Sequence, residues 1–451
     1  MEHLSQLRRT GLFESRAPRY TSYPPATQFR PTVDGTVVAG WMEALDPGTP
    51  VSLYVHVPFC RRLCWFCACR TQGTQSLKPV ADYVQALLTE LRQLRARLPQ
   101  GITLSRLHWG GGTPTLLTPA LIALLADAIH EAFPFREGAE FSVEIDPSEI
   151  DAPRMAALVR AGMTRASVGV QDFDPQIQDS IGRPQSFAMT ARAVDLIRDH
   201  GIAGLNADIL YGLPHQTGAR MADTVQKLLA LSPDRVALYG YAHVPWMSRR
   251  QVMIPEAALP DGEARLALFD TARALFLDDG FRQIGIDHFA RPADGLARAA
   301  DQGRLRRNFQ GYTDDGAEVL LGLGASSISR YPQGYAQNAP ATGAWLAAVR
   351  AGHVPVTRGH AFGPEDGWRG RMIEALMCDF RIDPADIQAR FGLTPDQQAR
   401  ILAPLLDRFG PAVALRDGAL VIPPEARPLT RLIAQALDAY AAPEGGHSAA
   451  V

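Results

Sequence analysis

Short apolar stretches alternate with amphipathic stretches between residue 51 and about residue 256. The first, "VSLYVHVPF" (Val51–Phe59), alternates β-branched and aromatic residues and stops at a proline, which is typical of a strand that runs into a loop. Residues 80–98 then have the 3.6-residue period of a helix. The same order recurs after five further apolar stretches: "SRLHW", "EFSVEIDP", "RASVGV", "GLNADILYGLP" and "RVALYGYAHVP". The pattern predicts an α/β fold with six parallel strands and outer helices, either open or rolled into a partial (β/α)6 barrel.

Polar or glycine-rich motifs follow each predicted strand. A cysteine-rich stretch follows the first, and "GGGTPT", "EIDP", "GVQDFD", "DILYGLP" and "YAHVP" follow the others. The carboxyl ends of parallel strands meet at one edge of a sheet, where ligands usually bind. We therefore expect one site at this edge, built from six loops.

The flanking segments predict four units. Residues 1–48 form a polar, proline-bearing lead, and residues 49–354 form the main domain, whose last hundred residues are more helical and less regular. Residues 355–440 predict amphipathic helices followed by a hairpin, "AVALRDGALVI", with a tight Asp-Gly turn, which suggests a small winged-helix-like domain. Residues 441–451 are expected to be a disordered tail.

Composition limits the classes of partner. The 451 residues are 46% hydrophobic and 20% charged, with a net charge of −2 and a pI of about 6.6. A general electrostatic attraction to nucleic acid or to an anionic membrane is not expected. The basic run "RLRR" (Arg304–Arg307) is expected to be a solvated helix face. There is no apolar run of 18 residues and no secretory signal, which predicts a protein of the reducing cytoplasm.

Four of the five cysteines lie within ten residues, at Cys60, Cys64, Cys67 and Cys69. Thiolates suit zinc or an iron–sulfur cluster. A zinc site usually takes two separated pairs of ligands, whereas three thiols within eight residues can hold three corners of a [4Fe–4S] cube and leave one iron open. The spacing favours the cluster over zinc and over redox or structural thiols. Cys378, in "MIEALMCDF", is expected to be a small buried hydrophobe.

The spacing C-x3-C-x2-C, with an aromatic residue before the third cysteine, resembles the signature of the radical S-adenosylmethionine (SAM) superfamily. In that superfamily three cysteines bind [4Fe–4S], the fourth iron chelates SAM, and one electron cleaves SAM to methionine and a 5′-deoxyadenosyl radical. Nearly the whole chain is similar to one family within it, the oxygen-independent coproporphyrinogen III oxidases. The ordered motifs are "RYTSYP", "YVHVPFC", "HWGGGTPT", "EIDP", "GVQDF", "ILYGLP", "YAHVP", "RNFQGYT", "GLGASSIS", "YAQN" and "CDFRID".

The resemblance implies a set of site residues. Cys60, Cys64 and Cys67 would hold the cluster, and Cys69 would be an extra thiol that activity needs but the cluster does not. Two SAM molecules would bind. The matching SAM contacts are Tyr54, Phe66, Gly111, Gly112, Thr113, Glu144, Gln171, Arg183, Asp208, Ala242 and Ile328. The residues that would matter for catalysis are Tyr54, Cys69, Glu144, Phe309 and Gln310.

These residues have simpler interpretations when each is taken alone. "GGGTPT" is a common turn, Asp208 is a polar strand end, and Gln171 and Arg183 would face solvent. Phe309 and Gln310 would be a buried ring beside a loop amide. The lead, with Arg19, Tyr20 and Tyr23, would fold over the active site in the family, and otherwise would be a surface arm. Arg19 and Arg307 are candidates to meet carboxylates of the substrate.

The implied reaction is the anaerobic oxidative decarboxylation of the ring A and B propionates of coproporphyrinogen III to vinyl groups, which gives protoporphyrinogen IX for heme biosynthesis. It would need an external one-electron donor and an electron acceptor, and the family favours a monomer. One alternative is a related heme chaperone, which lacks the extra cysteine and the "RYTSYP" lead that this chain has. The other is a zinc-stabilised binding module.

Overall fold

The computed structural model describes residues 2–441 and 448–451. Their strands are β1 (Pro50–Val57), β2 (Phe59–Cys60), β3 (Gln72–Gly73), β4 (Thr103–Gly111), β5 (Phe135–Ile145), β6 (Arg165–Gln171), β7 (Gly204–Tyr211), β8 (Arg235–Gly240), β9 (Arg282–Ile284), β10 (His288–Ala290), β11 (Arg306–Asn308), β12 (Gly311–Thr313), β13 (Val319–Leu323), β14 (Ile328–Tyr331), β15 (Gly334–Asn338), β16 (Val356–Ala361), β17 (Arg381–Ile382), β18 (Ala414–Arg416) and β19 (Ala419–Val421).

The α-helices of the described residues are α1 (Glu2–Arg9), α2 (Gly35–Glu43), α3 (Lys78–Arg97), α4 (Pro119–Ala132), α5 (Ala152–Arg160), α6 (Pro175–Ser180), α7 (Phe187–Asp199), α8 (Gly218–Ala230), α9 (Gly262–Asp278), α10 (Gly295–Asp301), α11 (Thr342–Arg350), α12 (Asp366–Asp379), α13 (Pro384–Phe391), α14 (Pro395–Phe409) and α15 (Thr430–Gln435). Short 3-10 turns lie at Ala26–Gln28, Pro114–Leu116, Arg249–Met253, Glu256–Ala258, Gly410–Ala412 and Pro424–Leu429. None of the helices is long and apolar enough to cross a membrane.

A twelve-stranded sheet organises the chain, in the order β16-β15-β14-β13-β1-β4-β5-β6-β7-β8-β10-β9. Strands β1, β4, β5, β6, β7 and β8 pair in parallel, and helices α3 to α8 lie between them along the chain. This confirms the alternation and the parallel sheet that the sequence predicts. Several of these helices begin at a capped residue, as at Thr118, Asp151 and Thr217, whose side chains accept a backbone N–H of the first turn.

The segment after residue 256 is richer in strands than the sequence predicts. It contributes β9 to β16, and β13 pairs in parallel with β1, so that it adds a seventh parallel strand on the other edge. Strand β13, "VLLGL", is only five residues long and is followed by a stretch with glycine and serine, so the pattern of apolar positions does not predict it. Strand β16 pairs with β15, so the main sheet extends past the boundary expected near residue 355.

A second hydrophobic core joins both ends of the chain to the C-terminal unit. It contains residues of α12 and α15 together with Leu7, Leu12, Tyr20 and Tyr23 of the lead, and Val451. Helices α12 to α15 and the sheet β17-β19-β18 form this unit, whose β18–β19 turn places Asp417 and Gly418 at positive φ, as an Asp-Gly hairpin turn requires.

The disordered tail expected at 441–451 is wrong for its last four residues, because Ala449 pairs with Arg16 and Ala450 is buried. Residues 442–447 of that tail lie outside the described residues.

A buried ion network lies at an inner level of the barrel, away from the carboxyl ends of the strands. Arg106 and Arg165 each pair with Glu140, at 3.0 and 2.8 Å, and Arg235 pairs with Asp294 at 2.5 Å. Burial raises the pKa of Glu140, but the three arginines together lower it to about 2. The guanidinium charges of this layer are therefore matched by carboxylates.

Candidate active site

The cysteine-rich loop begins where β1 leaves the sheet. Pro58 ends β1, the two-residue strand β2 carries Cys60, and the return segment β3 pairs with β2. The loop is fixed to its neighbours because Trp65 N–H donates to Ile181 at 2.9 Å and Thr113 N–H donates to Phe59 at 2.8 Å. Every cysteine of the described residues is a free thiol. Cys64 is buried, whereas Cys69 is exposed.

A second loop, after β8, holds the cysteine loop by its backbone. Gln251 is fully buried, and its Nε2 donates to the carbonyls of Phe66 at 2.7 Å and Ala242 at 3.0 Å. Ser248 Oγ donates to the carbonyl of Cys67 at 2.9 Å. This links two predicted SAM-contact residues, Phe66 and Ala242, through one side chain. Neither Gln251 nor Ser248 is among the residues predicted from the sequence, because "MSRRQV" carries no periodic signal that marks them.

Arg183 lies beside the thiols of the cysteine-rich loop. Its Nη1 lies 3.4 Å from Cys64 Sγ, its Nη2 donates to the Gly169 carbonyl at 3.0 Å, and the same nitrogen lies 3.4 Å from Asp146 Oδ2. Burial lowers the pKa of Arg183, but Asp146 and Cys64 outweigh this and raise it, so the guanidinium keeps its charge. A fixed cation at this position suits an anionic cluster or the carboxylate of a ligand.

The "GGG" of the motif after β4 requires glycine at each position. A Cβ would lie 2.5 Å from Glu144 Oε1 at Gly110, 2.4 Å from the His56 ring at Gly111, and 2.6 Å from the Phe59 carbonyl at Gly112. Gly111 also has a φ of +111°, and its N–H donates to Glu144 Oε2 at 3.0 Å. The close approach of backbone and carboxylate is therefore only possible without side chains.

Side chains of adjacent strands form a row inside the barrel. Tyr54 Oη lies 3.0 Å from His56 Nδ1, and its ring stacks on His108 with centroids 5.6 Å apart. His108 Nε2 lies 3.2 Å from Glu144 Oε1. The pKa of Tyr54 is raised by burial and by Glu144, and that of His56 is lowered by burial. Tyr54 and Glu144 are among the residues predicted from the sequence, but the two histidines are not, although the two-residue alternation of β1 and β4 places them on the same face.

Asp208 and Gln171 lie on the next two strands. Asp208 accepts hydrogen bonds from Asn206 at 2.9 Å and from Ser167 at 3.3 Å, and burial raises its pKa to about 6. Gln171 ends β6 with a φ of +69°, and the β6–β7 register shifts between Gly169 and Gln171. Such irregularities often re-aim a side chain near a site.

Ile328 reaches the same region from the other edge of the sheet. Gly322 is the register partner of Tyr54, and a Cβ on it would lie 2.8 Å from the Ile328 carbonyl. Phe66, on the cysteine loop, packs with Ile177, Leu210 and their neighbours. The structure thus brings ten predicted contacts to the strand ends and adjoining loops: Tyr54, Phe66, Gly111, Gly112, Thr113, Glu144, Gln171, Arg183, Asp208 and Ala242, with Ile328 beside Tyr54.

Phe309 and Gln310 form the turn between β11 and β12. Phe309 packs edge-on against Tyr335, with centroids 5.5 Å apart, and Gln310 N–H donates to Asn308 Oδ1 at 2.9 Å. A Cβ on Gly311, the next residue, would lie 3.3 Å from both Tyr239 Oη and His288 Nε2. The turn therefore reaches the barrel beside Tyr239 and His288.

The basic run at 304–307 is not a solvated helix face. Arg306 and Arg307 lie in β11, the Arg307 side chain is 3% exposed, and its Nη2 lies 3.4 Å from Asp287 Oδ2. The strand hairpin turns the alternate residue inward, which a four-residue run could not reveal. Cys378 is 4% exposed, which confirms the prediction of a small buried hydrophobe.

The lead segment divides between two surroundings. Arg19 Nη2 donates to the Gly240 carbonyl at 2.5 Å, at the carboxyl end of β8. Tyr20 Oη instead donates to Asp438 at 3.0 Å, and Tyr23 Oη accepts the N–H of Ala439 at 3.1 Å. Only Arg19 of these three reaches the strand ends, and the two tyrosines anchor the lead to the C-terminal unit.

The donors present fit an iron–sulfur cluster and SAM. Three thiols share one loop, with the charged Arg183 beside Cys64, and soft thiolate donors are the usual ligands of such clusters. The glycine motif and Glu144 offer closely approachable backbone and a carboxylate to a polar ligand. No three His, Cys, Asp or Glu side chains of residues 2–441 and 448–451 converge as ligands of a single metal ion.

Comparison with known proteins places these features in a family. Residues 54–228 match the family model described as the radical SAM superfamily. The oxygen-independent coproporphyrinogen III oxidase of Paracoccus denitrificans is 64% identical over 451 residues, with 100% of both chains covered. A protein of the same name from Cereibacter sphaeroides is 57% identical over 440 residues, with 98% of both chains covered. The solved structure of coproporphyrinogen III oxidase from Escherichia coli, described as a radical SAM enzyme, has a TM-score of 0.88 and 36% identity, and covers 94% of this chain and 98% of its own.

Proposed function

We propose that this chain, which belongs to the family of oxygen-independent coproporphyrinogen III oxidases within the radical SAM superfamily, converts coproporphyrinogen III to protoporphyrinogen IX for heme biosynthesis. The family relationship confirms the predicted fold, enzyme class and cofactor types. The observation that carries the proposal is the position of the three-thiol loop at the strand ends, with Arg183 at 3.4 Å from Cys64, beside the row of Tyr54 and Glu144.

Cys60, Cys64 and Cys67 hold a [4Fe–4S] cluster in this proposal, and Cys69 stays free. When bound, the cluster and SAM supply the 5′-deoxyadenosyl radical that abstracts hydrogen. Two SAM molecules bind, because two propionates react. The contacts proposed for them are Tyr54, Phe66, Gly111, Gly112, Thr113, Glu144, Gln171, Arg183, Asp208, Ala242 and Ile328.

The chain's own residues orient the ligands and supply charged groups at the site. Arg183 offers a guanidinium to a carboxylate, and Glu144 and Asp208 accept hydrogen bonds from hydroxyl or ammonium groups. Gln251 fixes the cysteine loop against the loop after β8. Neutral His56 keeps the Tyr54 hydroxyl in place. Phe309 and Gln310 are proposed to matter for activity through the turn that meets Tyr239.

Each of the two reacting propionates undergoes the same step. A hydrogen atom leaves the β-carbon and ends in 5′-deoxyadenosine, the bond between the α-carbon and the carboxylate carbon breaks with release of CO2, and one electron passes to an acceptor. The product carries a vinyl group in place of the propionate. The reaction consumes one SAM and one reducing electron per vinyl group, so we propose an external one-electron donor and a separate one-electron acceptor. We further propose a cytoplasmic monomer that binds no nucleic acid.

An anaerobic assay tests the proposal. Reconstituted protein, SAM, dithionite and coproporphyrinogen III are expected to yield protoporphyrinogen IX and 5′-deoxyadenosine. A heme chaperone would bind heme but form neither product, and a zinc module would contain zinc without iron or acid-labile sulfide. Either outcome would overturn the proposal.

A further inference from the structure

A cavity of about 410 Å³ lies between the carboxyl ends of β7 and β8, helix α9 and the C-terminal unit. The side chains of Phe269, Ile286 and Phe380 give it apolar walls, and the segment Ser448–Val451 closes one side. None of the proposed cluster or SAM contacts lines it. It is therefore a compartment separate from the cysteine loop.

The cavity is strongly cationic. Its lining contains three carboxylates, from Asp270, Asp287 and Glu425, against six guanidinium groups, from Arg19, Arg265, Arg273, Arg307, Arg427 and Arg431. Arg307 forms an ion pair there, with its Nη2 at 3.4 Å from Asp287 Oδ2. Asp287 also pairs with His288 at 2.7 Å, so its charge is shared.

Backbone oxygens accept the hydrogen bonds of two further arginines. Arg265 donates to the carbonyl of Tyr241 at 2.9 Å and to a main-chain oxygen of Val451, the last residue of the sequence, at 3.0 Å, and Arg431 donates to the carbonyls of Ala449 and Ala450 at 2.9 and 3.1 Å. Arg427 Nε is inaccessible and has no hydrogen-bond partner among the described residues. The carbonyls that Arg431 meets are uncharged, so they do not compensate its positive charge.

This arrangement differs from the barrel's inner ion network. There Arg106, Arg165 and Arg235 are paired with Glu140 and neighbouring aspartates. In the cavity, burial and the nearby Arg19 lower the pKa of Arg431 to about 9, and burial lowers the pKa of Arg427, with Arg273 adding to the effect. Buried charge without a counter-ion is costly, so the cavity favours an anionic ligand.

Two consecutive residues, Tyr239 and Gly240, connect the cavity to the proposed active site. Gly240, which lines it, accepts the hydrogen bond of Arg19, and its neighbour Tyr239 lies 3.4 Å from His288 inside the barrel. Asp208 is close enough to Tyr239 to be the main charge that raises the pKa of that phenol after burial. A ligand anchored by the arginines can thus extend toward Asp208.

We propose that this cavity holds propionate carboxylates of the porphyrinogen, with Arg19, Arg265, Arg427 and Arg431 as their anchors. The assignment rests on the proposed function, since it names the residues that bind that substrate. Guanidinium groups bind carboxylates in a bidentate geometry, through two parallel hydrogen bonds, and apolar walls suit a pyrrole ring. Backbone oxygens of residues 449–451 occupy part of the hydrogen-bonding positions that the carboxylate oxygens of a ligand would take.

The test measures binding without turnover. Fluorescence titration of the reconstituted holoenzyme compares coproporphyrin III, with four carboxylates, with mesoporphyrin, with two, and etioporphyrin, with none. We expect affinity to fall in that order. Arg265→Gln and Arg427→Gln should each raise the Kd for coproporphyrin III by about tenfold, as loss of one charge-assisted hydrogen bond implies, and raise that for etioporphyrin much less. Arg265→Lys and Arg427→Lys should recover part of the loss.

Arg95→Gln is the matched control. Arg95 also bonds to backbone carbonyls, of Ala132, Leu98 and Pro99, but lies outside the cavity. Thermal melts and the cluster absorbance identify any variant that fails to fold, and the lysine variants then carry the test. Equal Kd values for wild type and all folded cavity variants would overturn the assignment while coproporphyrinogen turnover continued. Absence of turnover in the wild type would instead overturn the proposed function.

Discussion

The backbone N–H of Cys69 donates to the sulfur of Cys67 at 3.4 Å. The thiols of the two residues also interact, which lowers the pKa of Cys67 and raises that of Cys69. The two cysteines of "CAC" are therefore unequal: one sulfur receives hydrogen bonds that stabilise its thiolate, and the other keeps its proton. This asymmetry distinguishes the chemical state of two thiols that are two residues apart.

Replacement of Cys69 separates ligand from non-ligand. Cys69→Ser should keep the iron–sulfur absorbance at about 400 nm, whereas Cys60→Ser, Cys64→Ser and Cys67→Ser should each lose it, since we propose these three thiolates as the ligands of the cluster. Anaerobic absorbance and iron content measure this. We expect Cys69→Ser to lose product formation despite its colour. Retained colour in all three ligand variants would contradict the assignment.

Gln251 should stabilise the cluster without touching it. Gln251→Leu removes the hydrogen bonds to Phe66 and Ala242 and leaves two buried carbonyls unpaired, at about 1–3 kcal/mol each. We expect faster cluster loss in air and slower SAM cleavage. Gln93→Leu is the control, because Gln93 bonds a distant carbonyl, of Val349, at 2.9 Å. Equal rates of bleaching in the two variants would show that Gln251 has no such role.

SAM affinity should depend on pH through Asp208. Burial raises the pKa of Asp208 to about 6, so its carboxylate ionises as the pH rises through that value. The same shift makes the unliganded protein lose stability as the pH rises from the usual value of Asp toward 6. Calorimetric SAM affinity should therefore fall by up to about tenfold per unit below pH 6. The Asp208→Asn variant should bind SAM weakly at every pH. A pH dependence of SAM affinity in that variant equal to that of the wild type would contradict the role of Asp208.

Glu140 should be the most sensitive carboxylate of the inner ion network. Its pKa is held at about 2, so the stability it contributes is present above its unfolded value, 4.5, and is lost as the pH falls toward 2. Glu140→Gln should lower the free energy of unfolding at neutral pH by about 3–5 kcal/mol, measured by urea denaturation. Glu365→Gln, which breaks an exposed pair with Arg369, should change it by less than about 1 kcal/mol.

The sequence predicted the parallel strands because each one is a short apolar run with a helical period after it. It missed β13, whose five residues pair with β1 across more than 260 positions, since distant pairing leaves no local period. Its motifs named Glu144 and Arg183, but spacing could not show that Arg183 meets Cys64 or that Gln251 braces Phe66. Those contacts depend on the packing of separate loops.

The arginine cavity was hidden for the same reason. The cavity combines Arg19, Arg265 and Arg431, which lie far apart in the sequence and have no common motif. Only the packing of the C-terminal unit on the barrel brings them together. The sequence offered Arg19 and Arg307 as candidates for substrate carboxylates. Of the two, the structure pairs Arg307 with Asp287 and leaves Arg19 on a carbonyl.

The transfer of hydrogen from substrate to SAM is the most direct measure of the central claim. Coproporphyrinogen III deuterated at the β-carbons of its propionates is incubated anaerobically with the reconstituted protein, SAM and dithionite, and the 5′-deoxyadenosine is analysed by mass spectrometry. Radical decarboxylation predicts one deuterium in each 5′-deoxyadenosine and two such molecules for every protoporphyrinogen formed. Vinyl formation with unlabelled 5′-deoxyadenosine, or labelled substrate recovered unchanged, would contradict it.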